Sequence, residues 1–538
     1  MSLIEHVDRS RLPAVLRALG SCGTAVTHAV ADDLLQLRVP SSPLASLAPH
    51  YLAAVALAPN PQASVVEELL ELSAWPRDDS PDELATSALA SLGAAARRLR
   101  QQDSASRLAA TAFEKLKAAL VACSTERCRV AHLRALANLA HGGSVEELLT
   151  WAERGTESEA LAALDALDML CSEGTLASRV WHRLGAVCAS GRPLAVRAAA
   201  LDVLLRAAAD APFTLLPLVL QLTNQAEGEL VRVLWQRLVA LDDRASMFRA
   251  ALPPTLRARA LFAAATSAVL RRELPPPQAA PAASSALDSV QVARGGALRR
   301  GLVRLSASGD PNGDNALAVE LTATGLDGLM GSGGDDEPAA AALALTVGNV
   351  RLPPATLFNG QAELAAHVWA GTASVPTPAL RALRPLAAQK HALRLLDGSA
   401  LHYQFDALAA LALDAHAQVS VWSRSARAGV ETRGGVAARA LLATSAAWGA
   451  LSAAAELTLE PQLRIATDVD FYDGIALCVR VRAVDHPQTL RVTLQSKLGT
   501  DRRAVRRWSE RAWAAPGRTL SLGTELDSSC RTLVSADD

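Results

Sequence analysis

Aromatic residues are scarce: seven Phe, three Tyr and nine Trp make up 4% of 538 residues, although half of the chain is hydrophobic. The apolar mass is therefore mostly Ala, Leu and Val, a bias toward many closely packed helices and away from an aromatic-rich enzyme core. Seven cysteines (Cys22, Cys123, Cys128, Cys171, Cys188, Cys478 and Cys530) are too few and too scattered for a disulfide scaffold. Charge of one sign is lacking as well. Lys plus Arg number 53 against 54 Asp plus Glu, and a net charge of -1 gives no drive toward polyphosphate, which argues against nucleic acid as a partner. No apolar run reaches the roughly 18 residues that span a bilayer. Behind Met1, the charges of Glu5, Asp8, Arg9 and Arg11 break up any signal-peptide core.

The motifs of common enzyme classes are missing too. There is no GxxxxGK[ST] loop, no GxGxxG after a strand, no HExxH, no GxSxG elbow and no paired CxxC. The eleven histidines are dispersed, and only His391 and His402 lie near each other, at a spacing that suits a structural role better than a metal pair. The expectation is a protein that is not an enzyme, with no catalytic residue, no metal and no cofactor.

What is present is periodicity. From residue 1 to about 272, apolar residues recur at three- and four-residue spacing in segments of about 10 to 16 residues, a helical pattern. Ser80-Pro81-Asp82-Glu83, Ser64 with Glu67, and Ser144 with Glu147 offer capping signals, and Gly142-Gly143 a stop. Helices this short cannot each bury a face alone, so stacked antiparallel pairs, a two-layered solenoid or horseshoe, are expected. A proline- and alanine-rich linker over 273–285 follows, and beyond it the period falls to two. Leu457 and Leu459, then Ile465, Val469 and Phe471, then Leu477, Val479 and Val481 alternate with polar neighbours, as do Val419 and Val421 earlier. Residues 286–538 are thus expected to be antiparallel sheet, interrupted by short segments at 360–370 and by a helical one at 378–396. The fold class is α + β, multidomain.

Four features carry open alternatives. Arg197 lies on the apolar stripe Leu194, Leu201, Leu204, and Glu227 heads the stripe Leu230, Leu234, Leu238, with one helix expected between the two. They form either a buried ion pair or two side chains reaching water. Cys123 and Cys128, separated by four residues, either close a small disulfide loop or are unrelated thiols. Arg502, Arg503, Arg506 and Arg507 with Trp508 read either as a solvated loop or as a membrane or protein contact. In the helical segment 378–396, Leu380, Leu383 and Leu386 with neighbouring Arg381 and Arg384 suggest a membrane-touching amphipathic element; the alternative is a helix packed on the sheet.

The tracts RLPPATLFNGQAEL, QVSVWSRSARAGVETR and TDVDFYDGIALCVRVR, in that order and spacing, resemble the sheet region of the microsomal triglyceride transfer protein large-subunit family, within the wider vitellogenin family of large lipid transfer proteins. LDSVQVARGGALRRGLVRL is similar to its first strands. HYLAAVALAPNP, LRALANLAHGGSVEELLTWAERG and VRAAALDVLL are similar to segments of its helical part. The resemblance rests on collinearity over nearly the whole chain. It implies a lumenal protein of the endoplasmic reticulum that holds triglyceride, phospholipid and cholesteryl ester between two β-sheets, works with protein disulfide isomerase, and delivers lipid to apolipoprotein B-type particles. It also implies that Arg197 and Glu227 are an internal pair. The family begins with a signal peptide and a β-barrel, whereas this sequence starts in the helical part, and Gly523 stands near an expected family cysteine. The Val, Leu, Ile and Phe positions above become the expected lipid wall. Two alternatives are a helical-repeat scaffold with a closed β-domain and a vitellogenin-like storage protein.

Overall fold

The computed structural model describes residues 11–37, 44–73, 83–171, 179–207, 230–231, 233–234, 237, 267–274, 284–294, 297–308, 315–325, 340–360, 377–396, 398–420, 425–446, 449–460, 462–470, 476–484, 486–498, 505–515 and 518–521. Among them are eleven α-helices: α1 (Leu12–Cys22), α2 (Ala25–Leu35), α3 (Ala48–Ala56), α4 (Ala63–Leu72), α5 (Glu83–Gln102), α6 (Arg107–Ala122), α7 (Glu126–Leu139), α8 (Val145–Arg154), α9 (Glu157–Cys171), α10 (Arg179–Ala189) and α11 (Leu194–Ala207).

Threonine and serine start several of these helices. The Thr24 hydroxyl accepts from Thr27 N in a reciprocal capping box, and Ser106 and Thr125 cap α6 and α7. Of the expected caps, Ser64 lies inside α4, which starts behind Gln62, and Ser144 precedes α8 but gives its hydroxyl to His141 O at 2.6 Å. The stop of α7 comes before Gly142, at Ala140, which adopts a left-handed φ of 48° and donates to Leu136 O. Helices α1, α3, α5, α7, α9 and α11 pack in succession, while α2, α4 and α6 pack beside them. A continuous core of Leu and Ala joins them, with Leu16, Leu52, Leu92, Leu136 and Leu167 buried.

Alanine and glycine let these axes come close. At Gly93 of α5, a Cβ would stand 2.2 Å from Ala135 O of α7, so any side chain forces the two backbones apart. Gly93→Ala is expected to cost about 1–3 kcal/mol. Gly435→Ala, where a Cβ meets nothing within 4 Å, should stay near wild type, as denaturant midpoints would show.

Two antiparallel sheets follow. The first contains β1 (Ser267–Leu274), β2 (Ser284–Arg294), β3 (Ala297–Ser308), β4 (Asn315–Thr324), β5 (Ala340–Val347), β6 (Val350–Arg351) and β7 (Ala355–Asn359), in the order β1-β2-β3-β4-β5-β6 with β7 also on β5. The second contains β8 (Thr377–Arg394), β9 (Ala400–Ser420), β10 (Ser425–Ala446), β11 (Gly449–Leu459), β12 (Gln462–Asp470), β13 (Ala476–Val484), β14 (His486–Leu498), β15 (Val505–Ala515) and β16 (Arg518–Ser521). From β8 and β9 it runs to β10, which pairs on its other side with β12 over Ser425–Arg433 and with β11 over Val436–Ala446.

Three boundaries differ from the sequence expectation. Helical structure does not extend to 272, because Ser267–Leu274 pairs with Ser285–Val292 as a strand, and β2 begins at Ser284, inside the predicted 273–285 linker. Residues 378–396 are not helical: Thr377–Arg394 is a strand paired with β9 along its length. Its two prolines fit because β8 is an edge strand, and register shifts accompany both, between Pro378 and Leu380 and between Pro385 and Ala387. Arg506, Arg507 and Trp508 belong to strand β15, not to a loop. The segment 361–370 lies outside the described residues.

Candidate functional site

The first sheet has two unlike sides. Register aligns Asp288, Arg304 and Glu320 across β2, β3 and β4, and this charged row meets the helices. Arg237 joins Asp202 of α11 at 2.6 Å to Asp288 at 2.8 Å. Arg300 reaches Glu157 of α9 at 2.6 Å. Arg351 of β6 is held between Asp165 of α9 and Glu320, the latter at 2.9 Å. Burial raises the Asp165 carboxyl despite Arg351. Glu320 is buried too, but Arg351, Arg304 and Arg134 outweigh that and hold it below the usual carboxylate range. The buried Asn138 of α7 mimics a strand: its Nδ2 donates to Arg351 O at 2.9 Å and its Oδ1 accepts from Arg351 N at 2.8 Å.

The alternate residues of the same strands are aliphatic. Leu287, Leu305, Val319 and Leu345 align across β2 to β5, with Val303 and Leu343 one step along. Opposite them stands one side of the second sheet. Leu287, Val303, Val319, Leu343 and Leu345 share a buried cluster with Leu413, Ala415, Val430 and Ile465. That side of the second sheet is apolar far beyond the contact. One register row is Ala415, Val430 and Ile465; another is Tyr403, Leu442, Ala453 and Leu494. Toward this end the wall is uncovered, with Tyr403 37%, Leu442 44%, Leu451 50% and Leu494 47% exposed. It ends at edge strand β15, whose register positions opposite Leu494, Val492 and Leu490 are Arg507, Ser509 and Arg511.

The other side of this sheet is a ladder of alternating charge: Asp406, Arg439, Glu456, Arg491 and Glu510 align across β9, β10, β11, β14 and β15. Arg439 approaches Glu456 at 3.5 Å and Arg491 approaches Glu510 at 3.0 Å. Exposed pairs like these stabilise little, but they fix which side meets water. Alternation along the strands thus produces two aliphatic walls facing each other, packed at one end and open at the other.

Of the expected wall positions, Leu457, Leu459 and Ile465 lie on the apolar side. Backbone register puts 419, 469, 477, 479 and 481 in the same rows, Val419 pairing with Ala426, and Ala426 with Val469. Val421 and Phe471 lie outside the described residues. The proposed leucine stripe of β8 does not exist, since a strand splits it: Leu380 joins the intersheet core, Leu383 takes the alternate register position opposite Ala410, and Leu386 is exposed at the bulge. Arg197 is buried and its Nε donates to Cys188 O at 2.9 Å, while Glu227 lies outside the described residues. Cys123 and Cys128 form a disulfide. Sequence reasoning missed the first sheet's wall at Leu287, Val303 and Leu345 and the whole charged seam. Period-two alternation in 286–305 and 340–347 was the available signal for the wall.

Facing aliphatic sheets beside a helical array form an architecture with apolar walls open at one end. Residues 278–537 match the family described as MTP large subunit, lipid-binding domain. The chain is similar to the microsomal triacylglycerol transfer protein of Drosophila melanogaster, 26% identical over 521 residues, covering 89% of this chain and 56% of that protein. Its fold is similar to that of a solved structure described as lipid-protein interactions in lipovitellin, with a TM-score of 0.59 at 12% identity, covering 94% of this chain and 56% of that one. The chain therefore spans little more than half the length of both.

Proposed function

We propose that the chain is the lipid-holding part of a transfer protein that carries neutral lipid and phospholipid, including triglyceride and cholesteryl ester, between membranes and nascent lipoprotein particles. The observation that carries this reading is the uncovered aliphatic end of the second sheet, at Leu442, Leu451 and Leu494. A closed sandwich would bury these leucines, so the scaffold alternative is disfavoured. Moving acyl chains through water costs about 0.8 kcal/mol per methylene, hence tens of kcal/mol for a triglyceride. A wall that replaces water at each methylene lowers this barrier without a covalent step, so the reading needs no enzyme activity and no cofactor, only lipid as cargo. An aliphatic wall has few polar groups with which to discriminate, so selectivity is broad.

The two-layered helical solenoid belongs to the same reading, supported by the successive packing of the odd-numbered helices. So do the Arg197–Glu227 pair, the lumen of the endoplasmic reticulum as location, and protein disulfide isomerase and an apolipoprotein B-type protein as partners. The test is transfer itself. Purified chain mixed with donor vesicles carrying fluorescent triglyceride and unlabelled acceptor vesicles should move label in proportion to protein. Label that binds without reaching the acceptor would favour vitellogenin-like storage, and no bound label would overturn lipid holding.

A further inference from the structure

We propose that Cys123, Cys128 and His132 form a site for a soft divalent cation, Zn2+, when the disulfide between the two cysteines is reduced. Cys123 follows α6, Thr125 caps α7, and Cys128 and His132 stand one turn apart in α7. His132 Nδ1 lies 3.4 Å from Cys123 Sγ and 3.6 Å from Cys128 Sγ. Tetrahedral zinc, with bonds of about 2.3 Å to sulfur and about 2.0 Å to nitrogen, sets its sulfur and nitrogen donors roughly 3.5 Å apart. Both sulfur–nitrogen distances already meet that requirement, and only the two sulfurs need to separate. The three donor atoms are the one such His/Cys/Asp/Glu group among the described residues, and Cys128 and His132 are buried, at 4% and 1% exposure.

The loop holds this shape without the sulfur–sulfur bond. Arg129 donates to Cys123 O at 3.3 Å and to Ser124 O at 3.0 Å, and its Nε is anchored on Glu159. Reduction by a dithiol delivers two electrons and two protons to the sulfurs, and the dithiol leaves as a disulfide. Zn2+ then displaces both thiol protons and forms two bonds to sulfur and one to Nδ1, with water as fourth ligand. The proton that Nδ1 now shares with Cys128 O at 2.9 Å moves to Nε2. Two thiolates neutralise the cation, which suits a buried place. The corner between α6 and α7 is thereby cross-linked under oxidising and reducing conditions alike.

Cobalt(II) is the probe. The reduced full chain should bind one equivalent, with a sulfur-to-cobalt charge-transfer band in the near ultraviolet that Zn2+ abolishes, and the oxidised chain should show none. Cys128→Ser and His132→Gln should weaken cobalt binding at least tenfold, while Cys171→Ser should not. Absence of the band in the reduced chain, or its persistence in Cys128→Ser, overturns the site. If the variants fail to fold, alkylation of the wild type decides: Zn2+ should slow iodoacetamide at Cys123 and Cys128 but not at the exposed Cys22. Equal rates with and without Zn2+ also overturn it.

Discussion

Arg351→Ala should destabilise the fold more than any surface change, by about 3 kcal/mol read from denaturant unfolding. The guanidinium binds Asp165 of the helical array and Glu320 of the first sheet together, so its loss leaves two carboxylates facing each other in a mostly buried seam. Replacing Arg351, Asp165 and Glu320 together by Met, Leu and Leu should recover only part of the loss, since the facing carboxylates go but Arg134 and Arg304 lose their acidic neighbours. The pH dependence follows from sign. Without Arg351, Glu320 loses the cation first among those that hold its pKa down, and Asp165 loses the cation that offsets burial. Both folded-state values then move up relative to wild type. The variant's folded state then takes up protons at higher pH than the wild type's, so its stability gains on wild type as pH falls. The deficit of Arg351→Ala should therefore narrow between pH 8 and pH 5; a constant deficit would mean that packing, not charge, is what Arg351 supplies.

The second large effect concerns cargo. Leu442→Arg with Leu494→Arg places two charges in one register row of the uncovered wall, flanking Ala453. Each leucine contributes up to roughly 1.5–3 kcal/mol of apolar contact to a lipid that covers it, and a guanidinium there must also be desolvated. Bound lipid per protein should fall at least tenfold. Folding should hardly change, because both side chains are about half exposed. Leu408→Arg is the control, since that leucine is 39% exposed but pairs with Ala437 on the charged side of the same sheet. Equal loss of lipid from both variants would remove the sidedness on which the wall rests.

How far the sequence speaks depends on how local the determinants are. The side on which 457, 459 and 465 lie was legible because side-chain alternation is a property of the strand itself, and pairing only had to respect it. The strand β8 was misread for the complementary reason. Leu380, Leu383 and Leu386 recur at helical spacing among Ala, Gln, Lys and Arg, all good helix formers, and only pairing with β9 reverses the local preference. Pro378 and Pro385 were the contrary signal, tolerated at an edge strand and costly inside a helix. The seam was illegible altogether: Arg351 meets Asp165 across 186 positions and Arg300 meets Glu157 across 143, distances at which no spacing rule operates.

The change of partner along β10 bears on how much such a chamber can contain. β9 accompanies β10 over nearly its whole length, but on the opposite flank Gly434 and Gly435 pair with neither β11 nor β12. The sheet is thus two leaves on a common spine, β11-β14-β15 and β12-β13-β16, separated at a pair of residues with the least resistance to backbone rotation. Changing the angle between the leaves breaks no bond between β11 and β12, which do not pair, and asks only that the β9–β10 ladder bend where it passes Gly434 and Gly435. On the proposed lipid-holding reading, the volume between the walls would then follow the angle of the leaves as well as their area.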